Sequence, residues 1–459
     1  MLHRNHLAAT ALGLCLLLAC RSRAPDGVAL VGATLIDGTG GPPLEESAVV
    51  IRRGHIESVG TRADFRLPER TSEVDVTGRW IMPGLVDGHV HLVDPLAGVA
   101  RWSMSRYLAW GVTTVRDLHG PLRSVLAVRR EMDRGWRPGP RVFSAGAMID
   151  GVPPTYPDAI TARTPKDARR GVDRLVNAGT DLVKVYTGVD KTLLGALLDE
   201  ARTFNLGVAG HLGLTDAVTA ARRGLGSLEH LSGIPEAASA DPSALYAAHR
   251  RSFFAGWTAF ERAWAGLDSA SLDRVAGILA ARNVIVVPTL VLHETFSRLD
   301  DPAVLGDTML NAVPQEEQRR WNIPDMIARA GWTEGDFAAF RRSRAAQGLF
   351  LRIFNAKDGR IAVGTDAANQ MLIPGYAVHR EMELLVAAGL TPAEAISAAT
   401  RNGALLLRVD SLGLLAPGKV ADLVVLDRDP LADIRNTLSI HRVMIRGRML
   451  SPDSIRARW

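Results

Sequence analysis

The sequence predicts an α/β protein: a (β/α)8 TIM barrel carrying a small β-sandwich domain formed from both chain ends. Three observations predict it. Near-continuous apolar runs of strand length alternate with helical stretches through the middle of the 459-residue chain. Such runs belong to strands buried on both faces, as parallel strands are. The two ends carry short β-rich segments between Gly and Pro turns instead. Finally, polar residues stand at the C-terminal ends of the central runs, where barrel enzymes place their chemistry.

Residues 1–20 read as an export signal. Arg4 supplies positive charge, and Leu7 to Leu18 form an apolar core too short for an ordinary membrane span. The core ends Leu17-Leu18-Ala19-Cys20, which resembles a bacterial lipobox. That resemblance implies cleavage before Cys20 and a lipid on its thiol. The chain would then be anchored to a bacterial membrane and face an extracytoplasmic, periplasmic space. Residues 21–27 would be a tether. Cys15 and Cys20 are the only cysteines, so the body holds no disulfide framework and no cysteine metal site.

Three β-rich segments follow: Val28 to Leu35, Ala48 to Gly60 and Glu73 to Ile81. Turns such as Asp37-Gly38-Thr39-Gly40-Gly41 and Arg53-Gly54 separate them. Similar segments return at Ala421 to Leu426 and Ile440 to Leu450. These fit one composite sandwich, residues 28–80 and 409–455.

The barrel is assigned to residues 81–408. Its strand candidates are Ile81 to His89, Val112 to Leu118, Arg141 to Ala145, Leu182 to Tyr186, Gly207 to His211, Ser227 to His230, Val284 to Leu290 and Ile361 to Asp366. Helical stretches separate them, among them Pro121 to Gly135, Pro165 to Gly179 and Lys191 to Asn205. Two intervals, Leu231 to Ala281 and His293 to Gly359, are long for single units and read as helices capping the barrel mouth. Their aromatics (Trp257, Phe260, Trp264, Phe296, Trp321, Trp332) fit the core of an added layer or a pocket wall.

Composition is that of a globular protein, 47% hydrophobic and 22% charged. The net charge of +5 comes from scattered arginines, not a basic run, which argues against nucleic acid. Lysine is confined to Lys166, Lys184, Lys191, Lys357 and Lys419, so Lys184 inside an apolar strand is informative.

The polar strand ends form a constellation. His89 and His91 are two residues apart and share a face, so both imidazoles can aim at one point. Such a pair is half of a metal site. Lys184, His211, His230 and Asp366 end four further strands.

This set, with Pro83-Gly84-Leu85-Val86-Asp87-Gly88-His89-Val90-His91, Gly364-Thr365-Asp366 and Leu415-Ala416-Pro417-Gly418-Lys419-Val420-Ala421-Asp422-Leu423, resembles the amidohydrolase superfamily of metal-dependent hydrolases. The resemblance spans roughly Val28 to Leu450. Within the superfamily the chain is similar to the binuclear branch of prolidase-like, carboxypeptidase-like and imidazolonepropionase-related proteins. It implies two divalent ions, zinc by default for histidine-rich ligation. His89, His91 and Asp366 would hold the inner ion, and His211 and His230 the outer one. Lys184, carboxylated by CO2, would bridge them. The ions would bring a water's pKa to about 7 and polarise the scissile carbonyl. Asp366 would take the proton and pass it to the leaving nitrogen, and His230 or Tyr186 would stabilise the oxyanion. Asp87 and Asp117 are either orienters of the ligands or structural. His119, His293 and His379 are candidates for the mouth; His55, His249 and His441 read as surface or core.

The implied reaction is hydrolysis of a C–N amide bond in a dipeptide, N-acyl amino acid or cyclic amide. One alternative is a mononuclear deaminase or imidazolonepropionase-type enzyme. Such deaminases place a glutamate three residues after the fifth-strand histidine, where this chain has Leu214. Another is a lactonase or esterase on the same site. A non-enzymatic scaffold is disfavoured, because all six ligand positions are filled. After the third strand, the run Ser144 to Pro154 lacks the histidine that prolidase-like relatives use on a substrate carboxylate. That argues against C-terminal-dipeptide specificity. The partners expected are a small-molecule or short-peptide substrate and a membrane through Cys20; a homo-oligomer is compatible with the chain.

Overall fold

The computed structural model describes residues 26–94, 98–99 and 101–459. The export signal, Cys20 and residues 21–25 of the tether lie outside the described residues. Among those described, no helix is long and apolar enough to cross a membrane.

Both ends of the chain enter one eight-stranded sheet. Gly27–Leu35 pairs antiparallel with Leu44–Arg52, which pairs with His55–Thr61. Arg53 and Gly54, at φ 49° and 79°, make the tight link between the last two. Two successive positive φ values match the strands' right-handed twist. Thr71–Asp75 runs parallel to the first strand. Trp80–Pro83 pairs antiparallel with Leu423–Leu426, which continues to Ile440–Ile445 and Arg448–Leu450. Alternation divides the side chains by face. Leu30, Val49, Ile51, Ile81, Leu423 and Val425 share one cluster; Ala29, Val31, Ala48 and Val50 share another, with Phe65 and Leu67 against it.

The middle of the chain alternates parallel strands with helices. Leu85–Val90, Val112–Asp117 and Arg141–Ser144 form one parallel sheet. Ile160–Thr161, Ile149–Asp150, Leu182–Val185, Gly207–Gly210, Ser227–Glu229 and Ile285–Val287 form another, in that spatial order. The Asp181 N–H donates to the Ser144 carbonyl at 2.9 Å, joining the two sheets. Helices start where the sequence supplies caps. Thr164 and Asp167 form a capping box on Pro165–Ala178, which ends at Gly179 with φ 79°. The Asp190 carboxylate accepts the first free N–H groups of Lys191–Thr203.

Two expected strands differ. Ile81 to His89 is not one strand. Ile81–Pro83 belongs to the composite sheet, and the parallel strand begins only at Leu85. Gly84 makes the break: a Cβ there would lie 2.3 Å from Thr113 Oγ1, and its N–H bonds the Asp422 carbonyl at 2.9 Å. Ile361 to Asp366 is not a regular strand either. It keeps one bridge, Val286 to Ile361. Val363 O accepts from the Gly88 N–H at 2.8 Å, and the N–H groups of Thr365 and Asp366 both donate to the His89 carbonyl. The run is bent because Asp366 takes φ 65°. At Gly364 a Cβ would meet Val287 Cγ1 at 2.4 Å and His89 Cβ at 2.8 Å, so only glycine permits this approach.

The long intervals are helical. Ile234–Ala238, Ser243–Arg251, Phe253–Ala263 and Ser269–Ala281 follow Ser227–Glu229. The second interval ends in the 22-residue helix Glu334–Asn355. Trp257 and Trp332 join a separate apolar cluster with Phe296 and Trp321 packed on it, while Phe260 and Trp264 belong to the main core.

Candidate active site

Leu85–Val90 presents His89, and His91 follows its end on the same face. His89 Nε2 lies 3.2 Å from Asp366 Oδ1, and His91 Nε2 lies 2.9 Å from the same oxygen. The three ligating atoms fall within 4.8 Å of one another. The far sides of both rings are committed. His89 Nδ1 donates to Glu229 Oε2 at 2.8 Å, and His91 Nδ1 to the His119 carbonyl at 3.1 Å. Those partners only accept, so each Nδ1 carries a proton, and each ring in its neutral form offers the Nε2 lone pair. Burial keeps His89 below the ordinary imidazole range. At His91 burial is outweighed by the Asp366 carboxylate, which raises it, so a cation taking that position would displace a proton. Two lone pairs and a carboxylate oxygen thus face one point. His89 Nε2 and Asp366 Oδ1 are buried without an aligned hydrogen-bond partner. A cation is the species that such a set fits.

The other sequence candidates adjoin this point. The His230 ring is centred 4.4 Å from His89 and 4.5 Å from His211. Burial, then Lys184 and His89 respectively, pushes His211 and His230 well below the ordinary imidazole range, which keeps them neutral as ligands must be. Lys184 is 1% exposed, and burial lowers its amine to about 8. Burial would raise Asp366, but His89 and His230 hold it well below the usual carboxylate range. Asn369 Nδ2 donates to its Oδ2 at 2.7 Å. The Tyr186 ring is centred 4.7 Å from His211, and burial drives its hydroxyl well above the usual value. It therefore stays a proton donor. All seven sequence-selected site residues are gathered at one end of the parallel strands.

The acids and histidines of open role fall into place. Asp87 accepts from the Thr365 N–H at 3.0 Å and its hydroxyl at 2.6 Å, which fixes the turn into Asp366. Asp117 accepts the Leu92 N–H at 2.8 Å, just past His91. Burial raises both carboxyls to about 7. His119 lies beside His91, its Nδ1 accepting from the Met148 N–H at 3.2 Å. His293 touches the His230 carbonyl with Nε2 at 3.1 Å and stacks on Trp257. His249 pairs with Glu236 at 2.9 Å and lines a pocket beside His211 and His230, with Phe253 and Trp257.

His379 is not at the mouth. It is buried, with Nδ1 2.8 Å from the Thr437 hydroxyl and Nε2 donating to the Trp110 carbonyl at 2.9 Å. Burial lowers its pKa from 6.5 to about 4. The unfolded chain binds this proton first, so stability present above pH 6.5 is lost as pH falls towards 4, by about 3 kcal/mol. The urea midpoint is expected to fall across that window, and His379→Gln to flatten the slope. An unchanged slope in the variant would refute this.

Sequence reading missed Glu229, Arg116 and Thr289. Arg116 NH2 donates to Glu229 Oε1 at 2.8 Å, and the Ser227 hydroxyl donates to the same oxygen at 2.6 Å. Burial would raise Glu229, but Arg116 and His89 hold it well below the carboxylate range. The Thr289 hydroxyl lies 2.8 Å from His230 Nδ1. A buried arginine and glutamate in apolar strands were the available signal.

Residues 80–450 match the family model of the amidohydrolase family. The chain belongs to the amidohydrolase family. Among curated proteins, this amidohydrolase is similar to the imidazolonepropionase of Bradyrhizobium sp. strain BTAi1, 47% identical over 66 residues. That match covers 13% of this chain and 16% of the relative, so the chain matches under a fifth of the relative's length. Among solved structures, a bottromycin amidohydrolase aligns with TM-score 0.71 and 22% identity, over 95% of this chain and 90% of that one. A Xaa-Pro dipeptidase with bound methionine aligns with TM-score 0.67 and 20% identity, over 93% and 100%. At these identities the likeness is one of fold.

Proposed function

We propose that this amidohydrolase hydrolyses a C–N amide bond of a dipeptide, N-acyl amino acid or cyclic amide at a site for two divalent ions. One observation carries the reading: the Nε2 lone pairs of His89 and His91 converge with Asp366 Oδ1 on one buried point. His211, His230 and the buried Lys184 adjoin it and would complete the set, Lys184 as a carbamate bridging the two ions. Zinc suits this donor set. When bound, the ions supply hydroxide at neutral pH and polarise the scissile carbonyl. The chain's own residues do the rest. Asp366, steadied by Asn369, accepts the proton of the attacking water and delivers it to the leaving nitrogen. Tyr186, as a neutral phenol, donates to the developing oxyanion, with His230 beside it. The dipeptidase among the fold neighbours supports a peptide-like substrate, and the imidazolonepropionase matches support a cyclic amide.

The architecture belongs to the same proposal. Backbone bonds from Val286 to residues 360–362, and from residues 363–367 to 88–91, support closure of eight parallel segments into a (β/α)8 barrel that starts at residue 85 rather than 81 and runs to residue 408. Residues 28–83 and 409–455 would then form the composite β domain. Residues 1–20 would direct export, with a lipid on Cys20 holding the enzyme on the extracytoplasmic side of a membrane.

The test is a metal count with a substrate screen. About two ions per chain and hydrolysis of dipeptide, N-acyl amino acid or cyclic amide are expected, and Asp366→Asn should lack that activity. One ion per chain would favour the mononuclear reading. Turnover of lactones alone would favour the esterase one.

A further inference from the structure

We propose that Glu229, held by Arg116, is the positioning residue that makes His89 a metal ligand. The inference rests on the metal reading of His89. Ser227 and Glu229 are two apart on one strand and share its inward face. Glu229 is fully buried. It receives three donors: His89 Nδ1 at 2.8 Å, Arg116 NH2 at 2.8 Å and the Ser227 hydroxyl at 2.6 Å. Arg116, on the second parallel strand, reaches across the interior to the sixth. Its Nε also donates to the Gly88 carbonyl at 2.6 Å, and its NH1 to Ser227 at 3.1 Å. One guanidinium thus ties the backbone just before His89 to the carboxylate behind its ring.

The consequence for His89 is chemical. A carboxylate only accepts, so Nδ1 keeps the proton and the Nε2 lone pair faces Asp366. With that anion gone, the ring can take the other tautomer, whose Nε2–H would donate to Asp366 and close the ligand position. The anion also raises the basicity of the imidazole it touches. A buried ion pair is weak evidence of a stabilising role, because apolar residues of similar volume replace such pairs well. Its placement behind a ligand is what gives it a function.

Metal-free protein titrated with zinc against a chromophoric chelator tests this. Glu229→Gln is expected to weaken one zinc affinity by about 10–100-fold, with the other and the far-UV circular dichroism unchanged. If Glu229→Gln fails to fold, Arg116→Met/Glu229→Met removes the unpaired guanidinium and should show the same loss. Parent-like zinc affinities in the folded variant overturn the inference. His89→Ala separates the two layers. Zinc loss there, with a parent-like Glu229→Gln, overturns the positioning role alone; no zinc loss in His89→Ala overturns the metal reading beneath it.

Discussion

Lys184→Ala is expected to abolish turnover and strip metal from the protein. Lys184 is 1% exposed and stands among His89, His211 and His230, whose pKa values its charge depresses. A free ammonium there would repel any cation held by those rings. Burial already draws the amine down to about 8, towards the uncharged form that combines with CO2. In the proposed two-ion site, the resulting carbamate would be the anion that two adjacent cations need. Without it, their mutual repulsion is uncompensated. Losing a metal's several kcal/mol of transition-state stabilisation corresponds to a fall in kcat of about 10^3-fold or more. The fold should survive, because alanine is readily accommodated in an apolar strand. Metal analysis, initial rates and circular dichroism on the same sample decide it. Full activity in the variant would remove the bridging role.

Arg116→Met is expected to cost about 3–5 kcal/mol of folding stability. Arg116 is 1% exposed and supplies donors to Gly88, Ser227 and Glu229. Methionine fills much of the same volume but leaves the buried Glu229 carboxylate with only the His89 imidazole and the Ser227 hydroxyl as donors. The penalty is that of an unmatched interior charge rather than of a lost contact. Removing both charges in Arg116→Met/Glu229→Met should therefore recover most of the stability. Urea unfolding of the single and double variants measures this directly. A single variant as stable as the parent would show that solvent or a proton reaches Glu229.

The residues that could be read from sequence are those whose geometry follows from period alone. His89 and His91 share a face because strand side chains alternate, whatever the sheet does. Lys184 stood out because lysine is so rare in this chain. His230 is different. Alternation sends Glu229 and His230 to opposite faces, yet both point inward. His230 and Leu231 adopt φ 58° and 56°, turning the chain so that the second ring also reaches the cavity. No composition signal announces a positive φ at histidine followed by leucine, so Glu229 was passed over for its neighbour. Similarly, Ile81 to His89 reads as one apolar run. Its division between two sheets depends on Thr113 and Asp422, which are distant in sequence.

That division has a consequence for synthesis. Trp80–Pro83 immediately precedes the segment that aims His89; one of its edges pairs with Gly27–Leu35 and the other with Leu423–Leu426. The Arg79–Asp427 ion pair beside it spans 348 positions. A nascent chain must therefore expose an unpaired edge until the ribosome has passed residue 426. Contacts of such separation form late and slowly. If the proposed metal site is formed, a chain halted upstream of that point should leave the ribosome unable to retain a divalent ion, although every proposed ligand has already been translated.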